Sequence, residues 1–330
     1  MIVQDAPNDA LSDVLRLVDA EAIASIALTA GGDWAVRFPE SDFVTFCAVR
    51  RGSCWLVKDD GTEPLWLVEG DCFAAIRGEF GLASSREVRV AATQMFRPDD
   101  QARQYGSGND VYLIGGNVRF DTANGGILTD VLPPMLLISG EAAEAIHWLL
   151  DQLDKEWRRA EPGARIACND LLRLMFIHAL RTYIAELPPS SGNWLAALSD
   201  PHVGKAFEAI HADPVRNWTL TDLASLASQS RSTFATHFKA TVGVSPIHYV
   251  SRWKVRLAAA RLRRGRQPIS SVAASLGFLS DSAFSATFRR IMGITPTEYR
   301  ALHLLPNADP LGHRGDLERS RQSPDASAAG

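Results

Sequence analysis

The segment Thr221–Tyr249 reappears fifty residues later as Ser271–Tyr299, and no other feature of the chain constrains its fold as tightly. At that offset Leu226 meets Leu276, Ser230 meets Ser280, Ser232 meets Ser282, Phe234 meets Phe284 and Phe238 meets Phe288. Gly243, Pro246 and Tyr249 likewise meet Gly293, Pro296 and Tyr299, and no gap is needed. A repeat of this kind is one supersecondary unit used twice. In the first copy Thr219 or Thr221 caps a helix with Leu223, Leu226 and Ala227 on one face. Ser230 caps a second helix, in which Phe234 and Phe238 share a buried stripe. Val242-Gly243-Val244-Ser245-Pro246 ends it, glycine being free to take positive φ. In the second copy Pro268 suits a first helical turn, Val272, Ala273 and Leu276 face inward, Gly277 lies in the turn and Ser280 caps the helix of Phe284 and Phe288. Two short helices about a tight turn have the form of a helix-turn-helix, whose second helix meets base edges in the major groove.

Between the copies Ser245, Pro246 and Gly265 bound one helix of roughly 18 residues, about 27 Å long. Val250, Trp253, Leu257 and Ala260 or Arg261 recur along it at helical spacing. A rigid spacer of that length suits two recognition helices about one DNA turn apart. Charge points the same way. Pro201 to Leu305 holds fourteen Lys and Arg against five Asp and Glu, a net of +9, whereas residues 1–200 carry a net of −12. The overall −4 conceals a basic module joined to an acidic one, as expected of a nucleic-acid binder with a second domain. Arg252, Lys254, Arg256, Arg261, Arg263, Arg264, Arg266, Arg289 and Arg290 are candidate phosphate contacts, though a solvated helix face explains any one of them equally well.

The stretch Trp218–Arg300, with LASLASQSRSTFATHFKATVGVSPIHYV and VAASLGFLSDSAFSATFRRIMGITPTEYR, resembles the DNA-binding domain of AraC-type transcriptional regulators. The runs Asn193–Pro201, His211–Pro214 and Asp9–Leu15 resemble the subgroup with a cupin-like N-terminal domain. The resemblance implies double-stranded DNA and RNA polymerase as partners, with both helix pairs in adjacent major-groove segments. Carried over to this chain, the DNA-reading residues are Arg231, Ser232, Ala235, Thr236 and Lys239 in the first recognition helix. In the second they are Ser282, Ser285, Ala286, Arg289 and Arg290. Family members often carry a base-reading arginine where this chain has Thr236 and Ala286. Bidentate arginine-to-guanine readout is therefore missing at those places, leaving Arg231, His237 and Lys239, or DNA shape and apolar contact, or water-mediated Ser and Thr contacts.

The N-terminal half alternates short apolar runs with glycine turns. Strands are expected at Ile23–Thr29, Trp34–Phe38, Val44–Val49, Cys54–Lys58, Leu65–Val68, Cys72–Ile76 and Val88–Met95, making a sandwich or small barrel. Leu67–Phe73 resembles the turn leading into a motif strand of cupin barrels. By that resemblance cupin metal ligands fall near Thr45, Cys47 and Gly81, yet the first 146 residues contain no histidine. An imidazole-built metal site is excluded there by composition, so no cofactor, metal or catalytic residue is assigned. A small-molecule effector remains conceivable in the barrel mouth, with Trp34, Arg37, Phe46, Trp55 and Trp66 as candidate lining, although aromatics of this kind are more often ordinary packing. Cys47, Cys54 and Cys72 form a redox switch only if two thiols face each other, and buried free cysteine is the commoner state.

From Ser139 the period turns helical: Ser139 caps a helix Glu141–Trp157 with Ala145, Trp148, Leu149 and Leu153 on one face, and Ala164–Leu187 is a second with Ile166, Leu171, Leu174, Met175, His178 and Ile184 along it. In the family this segment commonly mediates dimer contact, which implies a homodimer, while the same stripes serve equally well to cover the barrel. The expected class is α+β multidomain: a cupin-like β-barrel over 1–138, a helical bridge with linker over 139–192, an all-α double helix-turn-helix over 193–305, and a disordered tail over 306–330. No apolar run is long enough to span a membrane, the first thirty residues lack a signal pattern, and four cysteines without paired spacing fit a reducing cytoplasm. The reading is a cytoplasmic, sequence-selective transcription regulator and not an enzyme. Its rivals are a cupin-type enzyme with a DNA-binding appendage and a ligand-independent regulator whose barrel only dimerises.

Overall fold

Glycine turns and two-residue alternation in the first third of the chain resolve into two packed sheets. The computed structural model describes residues 9–18, 21–87, 94–96, 102–121, 124–138, 144–159, 161–265 and 267–304. The cap expected at Ser139, the strand residues 88–93, Arg266 and the tail lie outside them. By its contacts the chain divides into two compact units, Met1–Ser251 and Arg252–Gly330.

The first unit opens with helix α1 (Ala10–Val18), followed by β1 (Glu21–Gly31), β2 (Ala35–Phe38), β3 (Phe43–Arg51), β4 (Ser53–Val57), β5 (Leu65–Val68) and β6 (Cys72–Ala75). Then come β7 (Phe80–Ala83), β8 (Gln94–Met95), β9 (Ala102–Gly106), β10 (Val111–Arg119), the short helix α2 (Gly126–Thr129) and β11 (Met135–Ile138). Among the described residues one sheet has the order β11-β6-β3-β10-β1-β9 and the other β5-β4-β7-β2-β8. Strands β1 to β6 and β8 answer the expected runs, whereas β7, β9, β10 and β11 carry weak local signals. In β10 the pair Gly115-Gly116 lies mid-strand, and glycine is required at 115 because a Cβ there would collide with the carbonyl oxygen of Phe46 on β3. The space between the sheets is filled by Trp34, Phe38, Phe73, Phe80, Phe96 and their aliphatic neighbours. Phe38 stacks on both Phe80 and Phe96 at 4.6 Å between centroids.

Helices α3 (Glu144–Arg159) and α4 (Ala164–Glu186) pack on each other, and α4 lies against β1 and β10. Their buried faces overlap the expected ones only in part, with Leu149, Leu153, Met175 and Ile184 buried as expected. In α3 the core residues are Ile146, Leu149, Leu150 and Leu153, while Trp148 is 60 % exposed and Ala145 also faces out. In α4 Cys168, Leu172, Met175, Phe176, Ala179, Leu180 and Ile184 are buried, whereas Ile166 is 67 % and Leu174 45 % exposed. A 3₁₀ turn (Trp194–Leu198) and helices α5 (Val203–Ala212), α6 (Leu220–Leu226) and α7 (Arg231–Val242) complete this unit with the start of α8 (Pro246–Arg264). The remainder of α8, α9 (Ile269–Ala274), α10 (Asp281–Met292) and α11 (Pro296–Leu304) form the second unit. Along α8 the buried residues include Val250, Trp253, Val255, Ala258, Ala259 and Leu262; Leu257 is only half-buried and Arg261 is exposed.

The repeat is not uniform. From Ser230 and Ser280 onward the two copies match at an offset of fifty, but the first helices match at forty-nine. Thr219 and Pro268 are the caps, so Pro268 stands one position before the helical turn expected for it. Leu223, Ala224 and Ala227 are buried as are Val272, Ala273 and Leu276, and the left-handed turn residues are Ser228 and Gly277. Leu226, paired by sequence with buried Leu276, is 40 % exposed and lies outside the inner face expected for it.

Candidate nucleic-acid interface

Helices α7 and α10 are built alike. Ser230 Oγ accepts the Thr233 N–H at 3.3 Å and Ser280 Oγ accepts the Ala283 N–H at 3.2 Å, satisfying an orphan donor of the first turn. Each helix anchors itself with two fully buried rings, Phe234 with Phe238 and Phe284 with Phe288, 5.5 and 5.6 Å apart. Each ends at a left-handed glycine, Gly243 or Gly293. Residues 231–240 and 281–290 share one burial pattern, position for position. Arg231, Ser232, Thr236 and Lys239 are exposed and Ala235 is half-buried; Ser282, Ala286, Arg289 and Arg290 are exposed and Ser285 is half-buried. Ser232, Thr236 and Lys239 recur at the spacing of one helix face, as do Ser282, Ala286 and Arg289.

Beneath α7 lies a polar cluster. Asp200 accepts the backbone N–H groups of His202 at 2.9 Å and Val203 at 2.7 Å, and its Oδ2 is 2.9 Å from His237 Nε2. Burial raises the Asp200 carboxyl, but these N–H donors and the His237 charge outweigh it and hold the group below the ordinary carboxylate range. The other ring nitrogen of His237 lies 3.1 Å from Gln229 Nε2. With both nitrogens engaged inside the module, His237 is not the base-reaching group weighed from the sequence. Lys254 is a second departure. Only 6 % exposed, with its ammonium 5.8 Å from the Phe278 ring centroid, it packs in the second unit and offers no accessible phosphate contact. Arg261 is exposed and reaches Ser275 Oγ at 2.6 Å.

A cupin family model matches residues 9–185 and a helix-turn-helix domain model matches residues 223–302. The chain is 41 % identical over 303 residues to an AraC-like transcription regulator of Streptomyces lividans, covering 90 % of this chain and all of that one. The chain belongs to the AraC-type transcription regulators. It is also 28 % identical to the transcriptional regulator AlkR of Acinetobacter baylyi, over 88 % of this chain and 99 % of that protein. An AraC-type DNA-binding domain structure from Chromobacterium violaceum, 28 % identical, aligns with a TM-score of 0.31, over 33 % of this chain and 98 % of its own.

In this AraC-type regulator the five residues singled out around the barrel mouth do not converge. Trp34 is part of the core between the sheets. Phe46 points the other way, edge-on to Phe176 of α4 at 6.2 Å. Trp55 and half-exposed Trp66 pair at 4.9 Å, with the Arg86 guanidinium 5.7 Å from the Trp55 ring. Arg37 is ion-paired to Glu79 at 3.3 Å. A cavity of about 450 Å³ opens elsewhere in the first unit, bounded by Asp42, Phe43, Arg77, Phe120, Gly125 and Thr129 among others. Arg77 braces one wall by donating to the carbonyls of Thr129 and Leu132. The same α2 segment accepts from the start of the 3₁₀ turn: Trp194 Nε1–H donates to Ile127 O at 2.9 Å and Asn193 Nδ2 to Val131 O at 2.8 Å. These partners lie more than sixty residues apart, and no local pattern announces them.

The thiols of the AraC-type regulator are all buried. Burial pushes Cys54 and Cys72 up to about 12 and Cys47 well above its ordinary value, so the reactive thiolate is scarce at neutral pH. Cys47 belongs to the core between the sheets, while Cys72 pairs with Ala48 and therefore faces the opposite side of its sheet. His211 is also buried. Its Nε2 lies 2.8 Å from the Tyr249 hydroxyl and its Nδ1 3.8 Å from Asp13 of α1; burial lowers its pKa, with Asp13 and Asp9 partly opposing.

Proposed function

We propose that the chain binds a two-part operator in double-stranded DNA, with α7 and α10 each entering a major-groove segment and the region 193–305 acting as the DNA-binding domain. The observation that carries this is the identical exposure of the two helices, each presenting three residues at one-face spacing next to a cationic end. The net of +9 over 201–305 supplies phosphate affinity. Ser232, Ala235 and Thr236 would meet one half-site with Arg231 and Lys239 on its phosphates, and Ser282, Ser285 and Ala286 the other with Arg289 and Arg290. Anisotropy titration on DNA upstream of the coding region and its neighbours, against unrelated competitor at about 0.15 M salt, tests this. Footprinting of the bound species should protect two patches about one helical turn apart; a single patch would sink the tandem reading.

We further infer that a small molecule controls the regulator from the N-terminal cupin region, residues 1–138. In favour of it, the cavity shares its α2 wall with the hydrogen bonds to Asn193 and Trp194, and the 3₁₀ turn carrying Trp194 packs on α7. A ligand acts through that path only if it binds the DNA-competent arrangement more tightly than the other. The bridge, residues 139–192, would form a homodimer through the outer face of α3 and α4, where Trp148, Ile166 and Leu174 stand exposed. RNA polymerase would be the partner once bound at a promoter. A thermal-shift screen in which no metabolite raises the transition would leave the ligand-independent reading, since a ligand specific for the folded state must stabilise it.

A further inference from the structure

The turn before α10 holds one residue more than the turn before α7. In the first copy only Gln229 separates the left-handed Ser228 from the cap Ser230; in the second both Phe278 and Leu279 separate Gly277 from Ser280. Phe278 takes the place of Gln229. Its N–H bonds Ala273 O at 3.2 Å as that of Gln229 bonds Ala224 O at 3.0 Å, and its ring lies 5.0 Å from Phe284. Leu279 has no counterpart, and it is 92 % exposed.

A single exposed leucine is ordinary on a protein surface, so its position decides. Leu279 immediately precedes Ser280, the cap of α10, and so stands beside the first turn, the part of a recognition helix that meets base edges. Four and seven residues further on, Ala283 and Ala286 are exposed and apolar, where α7 has Thr233 and Thr236. The apolar group that base pairs display in the major groove is the thymine C5-methyl. We propose that Leu279 is a specificity-determining residue that packs on a thymine methyl in the half-site met by α10, which rests on the reading that α10 enters the major groove. The second module then selects thymine by apolar contact, while the first uses the hydroxyls of Ser232 and Thr236.

The test uses the full-length protein on its footprinted operator, with each thymine under α10 replaced in turn by deoxyuridine, which lacks only the methyl. One replacement should weaken the wild type about fourfold, the worth of one buried methyl group, and leave Leu279→Ala unaffected. Leu279→Ala should itself bind more weakly by about tenfold, with an unchanged thermal transition, and Leu279→Met should keep the uridine sensitivity. Silence at every thymine, or an equal loss in wild type and Leu279→Ala, overturns the proposal. So does a Leu279→Ala protein that binds normally but activates transcription poorly, which would give the leucine to a protein partner. If the second half-site is unprotected and Arg289→Ala leaves affinity unchanged, the tandem reading fails and takes this proposal with it; a protected half-site with silent uridines refutes this proposal alone.

Discussion

Asp200 Oδ2 and His237 Nε2, 2.9 Å apart, tie the segment before α5 to the middle of α7. The Asp200 side chain is almost fully buried there and holds two backbone N–H groups as well. Asp200→Ala should therefore cost about 1–3 kcal/mol, the penalty for leaving buried donors unsatisfied, measured by urea denaturation at pH 7. Because the folded carboxyl titrates below its unfolded value, its stabilisation is full above the ordinary aspartate pKa near 4 and is lost as pH falls through the folded value. The stability gap between wild type and Asp200→Ala should be present at pH 5 and narrow in stronger acid, below the ordinary aspartate value of about 4. A constant gap at pH 3 would show that the charge is irrelevant.

His211 has the opposite chemistry and the same sign. Burial lowers its folded pKa below the ordinary value near 6.5, Asp13 and Asp9 of α1 pull it back up, and the Tyr249 hydroxyl faces its Nε2. A group whose folded pKa is depressed stabilises above its unfolded pKa and loses that contribution as pH falls through the folded one. Stability should thus decline as pH falls below the ordinary histidine value of about 6.5, and His211→Gln should flatten that decline. Parallel pH profiles for the two proteins would locate the acid sensitivity elsewhere.

Phosphate-directed and base-directed residues should separate by salt. Lys239→Ala or Arg290→Ala should weaken operator and unrelated DNA alike and reduce the salt slope by about one each. Thr236→Arg restores the long donor that this position lacks. It should add preference for guanine at one operator position worth about 1–3 kcal/mol. A preference unchanged across all single-base operator variants would place Thr236 away from the bases.

Trp194→Phe keeps the ring that stacks on Phe207 at 6.0 Å and deletes the hydrogen bond to Ile127. About 1 kcal/mol of stability should be lost. If the cavity governs DNA binding through α2, the change in operator affinity caused by a ligand found in the thermal-shift screen should shrink in this variant. An undiminished response would remove Trp194 from the path.

Short-range chemistry was legible in the chain itself. The caps Thr219, Ser230 and Ser280, the phenylalanine pairs four apart and the left-handed glycines are set by interactions spanning three to five residues, so their spacing alone betrays them. The family resemblance and the cupin-like strands β1 to β6 were readable for the same reason. Long-range packing was not. Leu226 and Leu276 are the same residue at matching positions, yet one extra turn residue rotates the first helix of the second copy by one register step, burying one leucine and exposing the other. Trp148, Ile166 and Leu174 fit an apolar stripe on paper, but the face of a helix that is buried depends on what lies beside it. The strand β10 hides behind two glycines that only the approach of Phe46 explains, and His237 looked free for DNA until Asp200, thirty-seven residues away, was folded against it. Local sequence determined where the helices α6, α7 and α10 are capped and where the strands β1 to β6 run, because those choices rest on neighbouring backbone groups. Which side chains of those helices remain exposed was decided only by tertiary structure, because burial belongs to pairs of residues that the chain's order keeps far apart.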